Sequence, residues 1–113
     1  MRRNSDFTFG ANGSAVLFAA LGDETRLRLL ELLCELGPTS ISRLAAGFSV
    51  TRQAITKHLQ VMEQAGVVRS AKLGRESVWQ FEQERLEQAR LYLIQISEQW
   101  DESLERLRRL VED

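Results

Sequence analysis

From about Glu84 to Val111 the chain has neither glycine nor proline, and its apolar residues Leu86, Ala89, Leu93, Ile96, Trp100, Leu107 and Leu110 fall three and four apart. That spacing puts them on one side of a continuous α-helix. Ser103 alone interrupts the seam, while Leu91, Ile94, Leu104 and Val111 widen the apolar face. A face this wide exceeds what a small domain needs to close its own core. The helix therefore requires a partner, and a second copy of the chain is the simplest one. Leu86, Leu93, Ile96, Trp100 and Leu107 are the expected interface residues, with Trp100 as a central anchor. In the competing arrangement the helix folds back on its own domain and the protein is a monomer.

The rest of the chain breaks into shorter elements. Residues 1–13 show no periodicity and read as a flexible arm outside a single domain spanning 14–113. Ser14 is placed to cap a short helix ending at Gly22, and Asp23 to cap a second that runs to about Leu36 before Gly37 and Pro38. On that second helix Leu27, Leu29, Leu30, Leu33 and Leu36 are expected to face the core. Thr39 or Ser40 opens a third helix with Ile41, Leu44 and Ala45 inward, ending near Gly47. Thr51 then caps a fourth in which Ile55, Leu59 and Met62 form the apolar stripe, stopped at Gly66. Two helices joined by a tight break define a helix-turn-helix over residues 39–66, in which the first braces the second against a DNA major groove.

Beyond Gly66 the pattern changes period. Val67 to Lys72 alternate loosely, Leu73-Gly74-Arg75-Glu76 supplies a turn, and Ser77-Val78-Trp79-Gln80-Phe81 alternates again with strand-forming residues. A lone hairpin is marginal, so Val78 or Trp79, together with Phe81, is expected to pack on the helices. The predicted fold is mainly α with a small β-hairpin: a winged helix-turn-helix with its wing at 67–82 and its terminal helix at 84–111, dimeric through terminal helices.

Charge distribution adds direction. The whole chain carries 15 basic and 16 acidic side chains, yet between Pro38 and Arg75 the residues Arg43, Arg52, Lys57, Arg69, Lys72 and Arg75 face only Glu63. A basic segment inside a near-neutral protein suits a polyphosphate backbone, although a merely solvated face gives the same signature. If Ile55, Leu59 and Met62 point inward, then Arg52, Gln53, Thr56, Lys57 and Gln60 lie on the other side, where Arg and Gln suit guanine and adenine edges and Lys suits guanine or phosphate. Thr51 at the start of this helix, and Lys72 and Arg75 on the wing, complete the expected DNA-contacting set. Double-stranded DNA is thus the expected partner. The alternative is a winged-helix module that binds protein instead.

Other chemistry finds little support. Cys34 is the only cysteine, which points to a reducing compartment and so to the cytoplasm, and its leucine neighbours suggest a packed, inert thiol. Cys34 and His58 cannot furnish a zinc site, and no cofactor or catalytic arrangement is expected. His58 reads as a helix-face histidine. The stretch Ala15 to Leu21 lacks the features of a secretion signal, and no run is long enough to span a membrane.

The sequence Phe18-Ala19-Ala20-Leu21-Gly22-Asp23-Glu24-Thr25-Arg26-Leu27-Arg28-Leu29-Leu30 resembles the opening motif of ArsR-type bacterial repressors. Ala54 to Val68 is similar to that family's recognition helix and entry to the wing, and Gly74-Arg75 to its wing turn. The resemblance implies a homodimer that binds an inverted repeat and leaves it on receiving a signal. It also marks Arg52, Gln53, Thr56 and Lys57 as base-reading residues. Where many members carry a paired-cysteine motif, this chain has Ser42-Arg43-Leu44-Ala45-Ala46, and its last helix has no histidine. Both departures point to a subgroup without metal, responding to an unknown effector.

Overall fold

The computed structural model describes residues 11–112. Five helices and three strands follow in the order α1 (Ala11–Leu21), α2 (Glu24–Leu36), β1 (Thr39–Ser40), α3 (Ile41–Ala46), α4 (Arg52–Gln64), β2 (Val68–Leu73), β3 (Glu76–Phe81) and α5 (Gln83–Glu112). The first helix begins at Ala11, not at Ser14, so residues 11–13 belong to it and not to an arm. Residues 1–10 of that expected arm lie outside the described residues.

Local chemistry sets the helix boundaries. The Asp23 carboxylate accepts from the Arg26 backbone N–H at 3.0 Å, the Ser40 hydroxyl from Arg43 at 3.3 Å, and the Thr51 hydroxyl from Ala54 at 3.1 Å. Each satisfies an N–H that the first helical turn leaves without a carbonyl. The fourth helix closes with Val67 N–H on the Met62 carbonyl and Gly66 N–H on the Glu63 carbonyl, both at 2.9 Å, around Gly66 at φ +79°. Only a residue without a Cβ adopts that conformation cheaply.

Packing gathers one core. Leu17 and Ala20 of α1, Leu29 and Leu33 of α2, Ile41 and Leu44 of α3, and Ile55, Leu59 and Met62 of α4 are buried together with Val67, Val68, Trp79 and Ala89. Phe81 packs at the edge of this cluster and Trp79 within it, which ties the hairpin to the helices. The predicted face of α2 is only partly right. Leu27 and Cys34 are both exposed, because they lie seven residues apart on the outward side, about 100° or more around the helix from Leu29 and Leu33. Cys34 is therefore not the packed thiol that its leucine neighbours suggested.

The sheet contains a strand that the alternation did not reveal. Thr39 and Ser40 pair antiparallel with Trp79 and Val78, giving the order β1-β3-β2. This short strand leads straight into α3. The wing and the helix-turn-helix are thereby joined through backbone hydrogen bonds as well as through the core. The terminal helix leaves this body after Ala89, its only buried residue, and its 30 residues correspond to about 45 Å of helix.

Candidate nucleic-acid interface

Burial of Ile55, Leu59 and Met62 fixes which side of α4 faces outward. Arg52, Gln53, Lys57 and Gln60 are exposed, as is the preceding Thr51. At about 100° per residue, Gln53, Lys57, Gln60 and Gln64 run along the middle of the outward side. Gln64 joins the row expected from the sequence, at a spacing from Lys57 and Gln60 that keeps it on the same side. Arg52 and Thr56 stand to one flank with Glu63. That flank faces the wing, since the Ser70 hydroxyl of β2 donates to Glu63 at 3.0 Å. Thr56 is half-buried and its hydroxyl donates to the Arg52 carbonyl at 3.0 Å, so its free lone pairs and its methyl are what it offers outward.

The electrostatics of this surface are set by what its cations lack. Arg43, Arg52, Lys57, Lys72 and Arg75 are exposed and form no ion pair among the described residues. Arg69 differs. Its Nε lies 3.6 Å from a Glu82 carboxylate oxygen, and with the Gln80 amide turned so that its oxygen faces the guanidinium, Arg69 donates there too. Glu63, the one acid of the segment, is held by Ser70. The unpaired positive charges are thus spread over α3, α4 and the wing, where a polyanion would gain from all of them.

The wing presents its tip to solvent. Leu73 pairs with Glu76, leaving Gly74-Arg75 as a two-residue loop with Gly74 at φ +63°. A positive φ at that position matches the twist of the flanking strands and suits glycine. Lys72 and Arg75 are exposed on this tip. Leu73 is 66% exposed beside them, an apolar residue on an otherwise polar loop.

His58 lies on the opposite flank of α4 from Glu63. Its Nδ1 is 3.2 Å from a terminal nitrogen of Arg26 and 3.9 Å from a carboxylate oxygen of Asp23, both at the start of α2. The Arg26 backbone N–H that donates to Asp23 is the main cause holding that carboxyl below the ordinary aspartate value, with the Arg26 and His58 charges adding to it.

A second surface lies on α5. Leu93, Ile96, Trp100 and Leu107 are exposed, together with Leu91, Ile94, Leu104, Leu110 and Val111. Leu86 is placed differently from the other expected interface residues, for it packs against the core of its own chain. Arg85 fastens the root of the helix by donating to the Ala65 carbonyl at 3.1 Å and the Gly13 carbonyl at 3.3 Å, and partial burial lowers its pKa. An added Cβ on Gly66 would come within 3.3 Å of the Arg85 Nε, a second reason for glycine there.

Among the described residues no three of His, Cys, Asp and Glu gather as metal ligands. On α3, Ser42 to Ala46 include no cysteine. Cys34 is exposed on α2, its thiol pushed up by desolvation, and His58 is engaged by Arg26. One thiol and one imidazole so placed fall short of the four ligands of a structural zinc site. No helix among the described residues is long and apolar enough to cross a membrane.

A braced helix with an outward polar face, a basic wing and a core shared by both define a winged helix-turn-helix of the DNA-binding kind. Comparison with known proteins agrees. A helix-turn-helix domain family matches residues 21–71. An uncharacterized HTH-type transcriptional regulator of Bacillus subtilis, YuzN, is 41% identical over 76 residues, covering 62% of this chain and 83% of its own. The structure of an ArsR-like transcriptional regulator from Rhodococcus superposes with a TM-score of 0.78 at 36% identity, covering 88% of this chain and 92% of the other. A homodimeric winged helix-turn-helix DNA-binding domain from Mycobacterium bovis, a possible ArsR-family regulator, gives 0.63 at 26% identity over 84% of each chain. The chain belongs to the ArsR-type family of helix-turn-helix transcriptional regulators.

Proposed function

We propose that the protein is a cytoplasmic transcriptional repressor that binds an inverted-repeat DNA site as a homodimer and is released by an effector other than a metal ion. The observation that carries this reading is the outward face of α4, where Gln53, Lys57 and Gln60 are exposed beside Arg52, and neither Lys57 nor Arg52 has an ion-pair partner among the described residues. Gln53 and Gln60 supply paired donors and acceptors for base edges, and Lys57 serves guanine or phosphate. Arg52 and Thr56 read or brace along the wing flank, Thr51 sits at the helix start, and Lys72 and Arg75 reach the backbone or minor groove from the wing. Two such units are required to read an inverted repeat, and the exposed seam Leu93, Ile96, Trp100 and Leu107 supplies the contact between them. The Mycobacterium bovis relative, itself homodimeric, supports that assembly.

In vitro selection from random duplexes followed by sedimentation tests both halves. The expected result is an enriched site with twofold symmetry, bound by two chains. Affinity should fall steeply with salt, by a slope of about −0.9 per neutralised phosphate. Failure to enrich any sequence, with salt-insensitive binding, would leave the protein-binding alternative. Zinc, copper or arsenite at stoichiometric amounts should leave the DNA complex intact. Release by one of them that survives mutation of Cys34 and His58 would assign metal binding to the carboxylates.

A further inference from the structure

Arg26 stands where three helices meet. Its backbone belongs to the first turn of α2, its Nε donates to the Ala20 carbonyl near the end of α1, and a terminal nitrogen lies 3.2 Å from Nδ1 of His58 in the middle of α4. A guanidinium carries donors only. A hydrogen bond across this contact requires Nδ1 to present its lone pair, with the single proton of the neutral ring on Nε2. Asp23, at 3.9 Å, is beyond hydrogen-bond reach of that nitrogen and does not compete for it.

We propose that Arg26 and His58 are positioning residues: the guanidinium fixes the roll of α4 about its own axis and so sets where Gln53, Lys57 and Gln60 point. The inference rests on the reading of α4 as the DNA-facing helix. Apolar packing alone does not supply this. Ile55, Leu59 and Met62 hold α4 to the core through non-directional contacts, which tolerate some rotation of a cylinder against its neighbours. A charge-assisted hydrogen bond is directional and weakens when its angle opens.

A second polar contact acts from the other side. Glu63 accepts from Ser70 of the wing at 3.0 Å, and five positions separate it from His58, about 140° around the helix. Held on two flanks, α4 cannot roll toward one without stretching the other. The arrangement also links the two surfaces of the molecule. The helix that receives the Arg26 Nε, α1, packs against α5, which bears the exposed apolar seam.

His58 is the only histidine in the sequence, so its ring nitrogens are read without ambiguity. At a pH where the ring is neutral, a nitrogen-15 correlation spectrum of the imidazole should show the Nε2–H tautomer. A predominant Nδ1–H tautomer would overturn the proposal, because Arg26 then has nothing to donate to. The second arm uses a DNA site selected with the wild-type protein. His58→Asn keeps an acceptor oxygen at the place of Nδ1 and should bind within about twofold of wild type, while His58→Phe should lose about tenfold and blur sequence preference. Equal loss by both variants, or none by His58→Phe, contradicts the assignment. Circular dichroism checks that each variant folds, and the tautomer decides the matter if His58→Phe does not. A wild type that selects no sequence removes the DNA reading itself; normal selection by the wild type with the wrong tautomer removes only this proposal.

Discussion

The helices α4 and α5 are both amphipathic, yet they end with opposite surfaces. The stripe of α4 is wholly inside, with Leu59 at 0% exposure, whereas on α5 only Ala89 is buried and Trp100 is 63% exposed. Charge is reversed in the same way. Arg52 and Lys57 on α4 have no ionic partner among the described residues, while Arg90 pairs with Glu87 and Arg108 with Glu105 along α5. The stripe of α4 is covered while its cations stand unpaired; α5 pairs Arg90, Arg108 and Arg109 with its own carboxylates while its apolar side stands uncovered. Under the proposed function, the first meets a polar, anionic ligand and the second an apolar surface like its own.

The sharpest way to break this contrast is to make one substitution in both helices. Leu59→Ala should cost about 2–5 kcal/mol of folding stability in chemical denaturation, since it opens a cavity in a filled core. Leu93→Ala, on a side chain 51% exposed, should leave unfolding of the dilute chain nearly unchanged and act on self-association instead. Equal losses in both would erase the distinction. Trp100→Ala sharpens it further: sedimentation should show dimerisation weakened by roughly 2 kcal/mol or more if the ring is an anchor. Wild-type protein that stays monomeric at micromolar concentration would contradict the apolar half of the account.

Much of this contrast was legible beforehand. The caps Asp23, Ser40 and Thr51, the stop at Gly66 and the turn at Gly74 are local signals that depend on a few adjacent residues, and the structure uses each of them. The seam of α5 was equally plain because no glycine or proline interrupts it. What stayed hidden depends on distance in the chain. The strand at Thr39 and Ser40 exists only because Trp79 and Val78 come to meet it, and two residues carry no alternation. Arg26 and His58 are separated by 32 positions, and nothing near either one announces the other. Cys34 and Leu27 misled because leucines fill so much of α2 that adjacency in sequence could not distinguish its two sides.

Effects on DNA should be smaller than those on the core. Gln53→Ala should cost about 1–3 kcal/mol on a selected site and relax preference at one or two positions, measured by competition among base variants. Arg75→Ala should weaken all sequences alike and reduce the salt slope by about one unit, as expected for a backbone contact. The smallest effect concerns the cap of α2. The lowered pKa of Asp23 means that its contribution to stability is full above the ordinary aspartate range and is lost as pH falls through the depressed value. Thermal melts of Asp23→Asn, which keeps an acceptor for Arg26, should therefore show a shallower decline in acid than the wild type.

The central claim is that the outward face of α4 reads base sequence, and it is tested most directly by combining Gln53→Ala with Gln60→Ala. Binding of the wild type and of this double variant would be measured against a selected site and a random duplex across a range of salt concentrations. The wild type should prefer the selected site, and the variant should lose most of that preference while keeping nearly the same salt slope, since its cations are untouched. A variant that retains both the affinity and the preference of the wild type would show that another part of the molecule does the reading.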